Sequence, residues 1–196
     1  MIKSIKAKPK PEESPLLEVK PDRLIAIDPG DSTAYAVIEK VGNTIKGFGI
    51  KGTTDFWGCY ELIKEFPVES TLLIIENGGL VKHSFHRADL KAREQMIKTQ
   101  GYSDENRERL AQDRMSRNVG KANAEADLLI KGFERLGFHL LQVKPAKQKW
   151  SAEDLAAHTG YDERTNQHVR DAMRMVWENK RLLHAPSVIY RKGMVL

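Results

Sequence analysis

The chain contains a single cysteine, Cys59, among 196 residues. One thiol cannot build an internal disulfide framework or a cysteine-rich zinc site, so this composition is typical of a reducing compartment. No apolar run approaches the roughly 20 residues that cross a bilayer, and the amino terminus lacks the apolar segment of a secretory signal. From these absences we expect a soluble cytoplasmic protein that does not associate with a membrane.

Aromatic residues are scarce, at 7%, and hydrophobic residues make up 40% of the chain. This content can bury one substantial core and leaves little for a second. Residues 1–22 are rich in lysine, proline and glutamate, which disfavours regular hydrogen bonding, and we expect them to form a flexible tail. Residues 23–196 are predicted to form a single domain. The net charge of +5 favours a polyanionic partner but is equally compatible with an ordinary basic protein.

Apolar runs and helical spacing predict an α/β fold. We expect strands near residues 24–27, 34–39, 44–50, 71–75 and 139–143, and helices near residues 55–66, 103–136, 152–158 and 166–183. The first three strands are joined by short turns, which suggests an antiparallel meander. The element order predicts a five-stranded mixed sheet, with three antiparallel strands plus two parallel ones, flanked by helices.

Two acidic residues stand where predicted strands end. Asp28 follows the apolar run 24–27 and precedes Pro29-Gly30. A carboxylate beside an apolar core needs hydrogen bonds, a cation or a proton to compensate its desolvation, which indicates a metal ligand. The alternative is that Asp28 caps the Pro-Gly turn, as aspartate commonly does. Glu76 repeats the arrangement after the strand near 71–75, although by itself it could equally be a surface residue at a strand exit.

A third element is the pair of His168 and Asp171 near the start of the last long helix. A spacing of three residues puts both side chains on one face of the helix. The small Ala172 beside them permits close approach to a sheet. A lone His and Asp at this spacing are more often solvated or locally paired, so the pair gains meaning only beside Asp28 and Glu76.

These four residues suit divalent metal chemistry. Mg²⁺ and Mn²⁺ prefer carboxylate oxygens, and two such ions roughly 4 Å apart can stabilise the attacking and leaving oxygens in phosphodiester hydrolysis. Asp28, Glu76 and Asp171 are the candidate ligands. His168 can ligate the second ion or carry a proton, and the sequence leaves both roles open.

At these residues the chain resembles the RuvC-like family of Holliday junction resolvases, within the RNase H-like superfamily. The resemblance covers roughly residues 23–177, and its motifs are loose singly but specific in their order and spacing. The matching segments are Ile27-Asp28-Pro29-Gly30, Ile75-Glu76, Asn118-Val119-Gly120-Lys121-Ala122-Asn123-Ala124-Glu125, Val143-Lys144-Pro145 and His168-Val169-Arg170-Asp171-Ala172.

The resemblance implies an RNase H-like fold and a homodimeric endonuclease that uses Mg²⁺ or Mn²⁺, with two ions per active site. It implies paired nicks in a four-way DNA junction, with the four candidate ligands as catalytic residues. The compact segment between Pro145 and His168 is more like phage or organellar relatives, and a phage-encoded member would act in the host cytoplasm. Where the best-known bacterial members carry an aromatic residue soon after the glutamate, this chain has Asn77-Gly78-Gly79.

Residues 77–100 have poor periodicity and many basic side chains, so we predict a loop, and a long loop inside a compact domain is usually functional. The candidate nucleic-acid contacts, for phosphate binding or base stacking, are Lys82, His83, Phe85, His86, Arg87, Lys144, Lys147, Lys149 and Arg164. Arg170 is a weaker candidate. The resemblance places phosphate-binding lysines after the fifth strand. The alternative for the loop is a solvated surface, since Asp89 and Glu94 lie within it.

Other functions stay open. An actin-type or sugar-kinase-type ATPase also has a phosphate loop after a buried strand with an aspartate and glycines, but it needs two related domains around the nucleotide. A junction-binding protein without catalysis would have no need of four candidate ligands. Another nuclease of the same fold, acting on other branched DNA or on RNA, is compatible with every motif.

Overall fold

A computed structural model describes residues 16–81, 105–191 and 194–195, and for residues 105–116 it describes the backbone alone. In chain order its main elements are β1 (Leu16–Val19), β2 (Arg23–Asp28), β3 (Thr33–Val41), β4 (Thr44–Thr54), α1 (Phe56–Lys64), β5 (Thr71–Glu76), α2 (Glu105–Arg135), β6 (His139–Val143), α3 (Ala152–Thr159), α4 (Gln167–Glu178) and β7 (Val188–Arg191). Short 3₁₀ helices lie at Val68–Ser70, Gly78–Leu80 and Lys180–His184.

Five strands form the central sheet in the order β4-β3-β2-β5-β6. β2 is antiparallel to β3, and β3 is antiparallel to β4, which makes the expected meander. β5 runs parallel to both β2 and β6. The predicted α/β class and the five-stranded mixed sheet with flanking helices are therefore confirmed.

β2 is apolar from Leu24 to Ile27 because helices cover both faces of the sheet. Leu24 and Ala26 pack on one face with residues of α4 such as Met173. Ile25 and Ile27 pack on the other face, against residues of α1 and α2. This alternation decides which face each strand-end side chain occupies.

The predicted flexible tail over residues 1–22 is wrong for Leu16–Val19, which form β1. β1 pairs antiparallel with β7, in a register that sets Leu17 opposite Tyr190. Val19 and Tyr190 are buried in the core on the α4 side. The pairing joins segments far apart in the sequence, so local periodicity could not reveal it. Residues 1–15 lie outside the described residues.

Several element boundaries also differ from the prediction. β4 continues to Thr54 instead of ending near residue 50, and α1 is capped by Asp55, whose side chain accepts a hydrogen bond from the Gly58 amide at 2.7 Å. The last long helix ends at Glu178, and Lys180–His184 is a 3₁₀ turn. No helix in the described ranges is long and apolar enough to span a membrane.

A bulge in β4 anchors the chain that leads into α4. Phe48 has a φ of 57°, a left-handed conformation that costs a bulky residue about 1–3 kcal/mol. The ladder with β3 shifts register there, between Ala36 and Ile38. The Phe48 ring packs 5.9 Å from Tyr161 and 5.8 Å from Trp177, measured between ring centroids. The bulge thus holds the segment before α4 against the sheet.

Candidate metal centre

The sheet register brings Asp28 and Glu76 to the same place. Ala26 of β2 pairs with Ile74 of β5 in the parallel ladder. Asp28 and Glu76 each follow two residues later, so they occupy equivalent positions at the carboxyl ends of neighbouring strands. Side chains two residues apart on a strand share a face. Both acids therefore lie on the face that Ala26 and Ile74 bury against α4.

Helix α4 delivers His168 and Asp171 to that face. Its first turn is capped by Asn166, whose side-chain oxygen accepts a hydrogen bond from the Val169 amide at 2.9 Å. Val169 and Ala172 are buried against the sheet, and the small Ala172 lets the helix approach closely. Asp171 is 7% exposed and Asp28 is 6% exposed, so both carboxylates are buried.

The side chains of Asp28, His168 and Asp171 form one cluster. Each offers a ligand atom, and these atoms all lie within 4.8 Å of one another. Nδ1 of His168 lies 3.0 Å from Oδ2 of Asp28, which is hydrogen-bond distance. Glu76 lies beside this cluster, since the charges of Asp28 and Asp171 both act on it. The structure thus brings together three of the four predicted ligands, and it places Glu76 at the end of the strand next to Asp28.

Lys149 enters the same cluster. Its Nζ atom donates a hydrogen bond to Oδ2 of Asp171 at 2.5 Å, and Nε2 of Gln167 donates to Oδ1 at 2.8 Å. Burial lowers the pKa of Lys149, but the hydrogen bond and the negative charges of Asp171, Asp28 and Glu76 raise it by more. Lys149 is therefore a cation in a ring of acids.

Even with Lys149 nearby, burial disfavours the charged form of two carboxylates at this site. Burial raises the pKa of Glu76 to about 7, and the negative charge of Asp28 adds to the effect. Burial also raises the pKa of Asp28, by more than its hydrogen bond and charge interaction with His168 lower it. These raised pKa values mean that the surroundings supply too little positive charge to stabilise the ionised acids. A divalent cation would supply that charge.

The donor set fits a hard divalent cation. Mg²⁺ binds oxygen ligands at about 2.0–2.1 Å, so two ligands of one ion can lie up to about 4.2 Å apart. The ligand atoms of Asp28, His168 and Asp171 lie within 4.8 Å of one another, which is slightly more than this limit. Side-chain rotation can bring them closer. Glu76, at the end of the neighbouring strand, adds a third carboxylate beside the cluster. Cys59, the one thiol, is buried on the opposite face of the sheet and takes no part.

The raised pKa of Glu76 makes folding stability depend on pH. Without metal, the folded chain binds this proton more tightly than the unfolded chain, so stability falls as pH rises from 4.5 to about 7. Glu76→Gln cannot ionise, and we expect it to stabilise the metal-free protein at pH 8 by about 3 kcal/mol. The gain should shrink towards zero near pH 4. Urea unfolding of both proteins in chelator, at the two pH values, measures it, and an equal gain at both would contradict this reading.

The structure divides the predicted nucleic-acid contacts into three groups. The residues beyond Glu76, namely Lys82, His83, Phe85, His86 and Arg87, lie outside the described residues. Lys144 and Lys147 are exposed in the segment after β6, and Arg164 is exposed before α4. Lys149 contacts Asp171 at the edge of the cluster, and its side chain is 55% exposed.

Arg170, the weaker candidate for a DNA contact, makes three hydrogen bonds within the chain. Its guanidinium donates to the backbone oxygen of Trp150 at 3.3 Å, to that of Thr165, and to the side-chain oxygen of Gln167 at 2.9 Å. These bonds tie the segment carrying Lys149 to α4. Trp150 itself is partly buried against the core, as a packing residue would be.

Sequence reasoning missed Gln167 and Asn77. Gln167 precedes Asp171 by four residues, a helical spacing that could have suggested its hydrogen bond. Asn77 is buried. Its side-chain Nδ2 donates a hydrogen bond to the side-chain oxygen of Gln142 at 2.9 Å, and its backbone N–H donates one to the backbone oxygen of Val143 at 2.9 Å. These bonds fix the ends of β5 and β6 together beside Glu76.

The chain was compared with known proteins in three ways. No protein-family model matches the sequence. The curated proteins and the solved structures likewise contain no match.

Proposed function

We propose that the chain is an RNase H-like, divalent-metal-dependent endonuclease that cuts branched DNA, with the four-way junction as its substrate. Two copies acting together would place paired nicks in opposing strands. One observation carries the proposal. Two strand ends and one helix bring the Asp28 and Asp171 carboxylates and the His168 imidazole together, with Glu76 at the end of the neighbouring strand, and burial raises the pKa values of Asp28 and Glu76.

This arrangement costs the fold stability, which favours a functional reason for it. Carboxylates with raised pKa values destabilise the ionised folded state near neutral pH. A cluster that serves only the fold would be replaced by apolar side chains at little cost. Perturbed acids gathered at strand ends are instead typical of catalytic sites.

The sheet supports the class of enzyme. A three-stranded antiparallel meander followed by two parallel strands is the arrangement that the RuvC-like resemblance implies. In that arrangement the first and fourth strands of the central sheet are adjacent, and each ends in an acid. Here these are β2 with Asp28 and β5 with Glu76.

The chain's own residues can divide the reaction among them. Asp28, Glu76 and Asp171 would hold Mg²⁺ or Mn²⁺, which supply charge stabilisation for the attacking and leaving oxygens of the phosphodiester. His168 engages Asp28 through Nδ1, and this contact favours a proton-carrying role because it orients the ring and leaves Nε2 for the proton. Lys149 would bind a phosphate oxygen after leaving Asp171.

Exposed lysines support a nucleic-acid substrate. Lys144 and Lys147 lie on the segment between β6 and Lys149, so a phosphate backbone entering the cluster would pass them. Contacts of this kind hold the backbone in place without reading its sequence. They suit an enzyme that selects the shape of its substrate.

A substrate panel tests the proposal. Purified protein is offered a four-way junction, a flap, duplex DNA and structured RNA, each with Mg²⁺ or with chelator. Asp171→Asn, purified in parallel, controls for contaminating nucleases. We expect paired nicks in the junction that require Mg²⁺ and are lost in the variant. Preferred cutting of RNA or flaps would show that the protein is another nuclease of the same fold and not a junction-cutting enzyme. ATP turnover without cutting would overturn the nuclease assignment.

A further inference from the structure

A second feature adjoins the metal centre, between the carboxyl ends of the strands and α2. It is a cleft of about 330 Å³ lined by Pro29, Glu76, Gly78, Val81, Val119, Ala122, Asn123 and Pro145. This volume is near the lower end of small-molecule pockets, which span about 300–1,000 Å³. The cleft can therefore take one compact group and not a folded polymer.

The walls of the cleft are apolar and rigid at the strand ends. Pro29 follows Asp28 at the end of β2, and Pro145 lies two residues beyond the end of β6. Val119 and Ala122 supply the wall from α2, where both are partly exposed. Because Glu76 lines the cleft and also adjoins the cluster, the cleft lies next to the metal centre.

Asn123 is the polar group of the α2 wall. Its amide oxygen packs against the backbone of Gly78, so closely that a Cβ atom added to Gly78 would lie 2.5 Å from it. Within the described part of the chain, the Asn123 side chain makes no hydrogen bond. A carboxamide beside an apolar cleft, with donor and acceptor both available, can read the edge of a planar polar ring.

We propose that this cleft is a base-binding subsite, which holds the unstacked nucleobase next to the scissile phosphate and reads its edge through Asn123. The inference rests on the proposed nuclease function and extends it from shape selection to a preference for sequence at the cut.

Charge and position favour a base over the other parts of a nucleotide. A phosphate in the cleft would face the carboxylate of Glu76 and no basic side chain among the lining residues. A base is neutral, flat and largely apolar on its faces, so the proline and valine walls suit it. A nucleotide whose phosphate lies at the Asp28 and Asp171 cluster has its base within reach of the cleft that Glu76 shares.

The cleft can be filled without substituting a metal ligand. Ala122→Phe places a ring in it, and Ala124→Phe makes the same change on an exposed position of α2 outside the lining. The substrates are four-way junctions in which the nucleotides on either side of the mapped cut carry each of the four bases or no base. Single-turnover cutting rates are measured for each junction and each protein.

At one of the two positions, we expect the wild-type protein to discriminate between bases by about tenfold or more, with the abasic junction among the slowest. Ala122→Phe should lose this discrimination, and Ala124→Phe should keep it. Asn123→Leu keeps the branched shape of the asparagine side chain without its hydrogen-bonding groups, so it should weaken discrimination while leaving most of the cleft open. This variant decides the question if Ala122→Phe does not fold.

A second measurement does not depend on cutting. With Ca²⁺ in place of Mg²⁺, 2-aminopurine at the same position should brighten when wild-type protein or Ala124→Phe binds, because the base leaves its stack, and Ala122→Phe should not produce this change. Absence of cutting on every substrate would overturn the nuclease function itself. Efficient cutting with equal rates for all bases, or with Ala122→Phe behaving as wild type, would overturn the subsite alone.

Discussion

Asp28→Asn is expected to abolish Mg²⁺-dependent cutting of a four-way junction, with a loss of at least about 1,000-fold. The change removes one negative charge with little loss of volume, at a position that touches His168 and adjoins Glu76. Binding of the junction should persist, because Lys144 and Lys147 are unaffected. Single-turnover rates and fluorescence anisotropy on the same preparation measure the two properties.

The matched control for this variant is Asp127→Asn. Asp127 is exposed on α2, away from the cluster, so the same chemical change there should leave cutting at the wild-type rate. The folding of both variants is checked by thermal unfolding in chelator. Cutting by Asp28→Asn at a rate near that of wild type would remove Asp28 from the catalytic site.

Lys149→Met is expected to change metal binding and cutting in opposite directions. Lys149 occupies Oδ2 of Asp171, so a metal ion has to displace it, and its loss should strengthen Mn²⁺ binding in the absence of DNA by about tenfold. Cutting should fall by about 100-fold, because a cation positioned for the phosphate is lost. The Lys149 side chain is 55% exposed, so the exchange needs no opening of the core.

Lys147→Met provides the comparison for this prediction. Lys147 is exposed on the same segment and is not part of the cluster, so its loss should weaken DNA binding without changing Mn²⁺ affinity. Isothermal titration with Mn²⁺ and single-turnover cutting of the junction are measured for both variants. Weaker Mn²⁺ binding by Lys149→Met would show that Lys149 supports the metal site instead of competing for it.

The sheet and the position of the acids could be predicted because both follow from local patterns. A strand that is apolar on both faces, such as the one before Asp28, indicates a sheet covered by helices. Two such strands ending in acids place those acids at one end of the sheet if the strands are parallel neighbours. The pairing of Ala26 with Ile74 meets that condition.

The parts that escaped prediction depend on contacts between distant segments. β1 and β7 are four-residue strands that pair with each other although they lie far apart in the sequence, so no local pattern reveals the pairing. The contact of Lys149 with Asp171 depends on how the chain after β6 folds back onto α4. Arg170 fixes that path through backbone oxygens, which have no signature in a sequence.

The cleft beside Glu76 also could not be predicted, because it too depends on contacts between distant segments. Its walls come from the ends of three strands and from α2, so no single motif describes it. The small residues in the segment around Ala122 indicate close packing but not a cavity. Only the placement of α2 against the strand ends shows that Asn123 and Glu76 border one space.

The central claim is that the cluster of Asp28, Glu76, His168 and Asp171 holds divalent metal. Titration of the junction-bound protein with Mn²⁺, followed by the paramagnetic resonance of the free ion, tests it most directly. We predict saturable binding by the wild-type protein and by Asp127→Asn, weakened at least about tenfold in Asp28→Asn and Asp171→Asn. Identical binding curves for all four proteins, or no saturable binding by the wild type, would contradict the account.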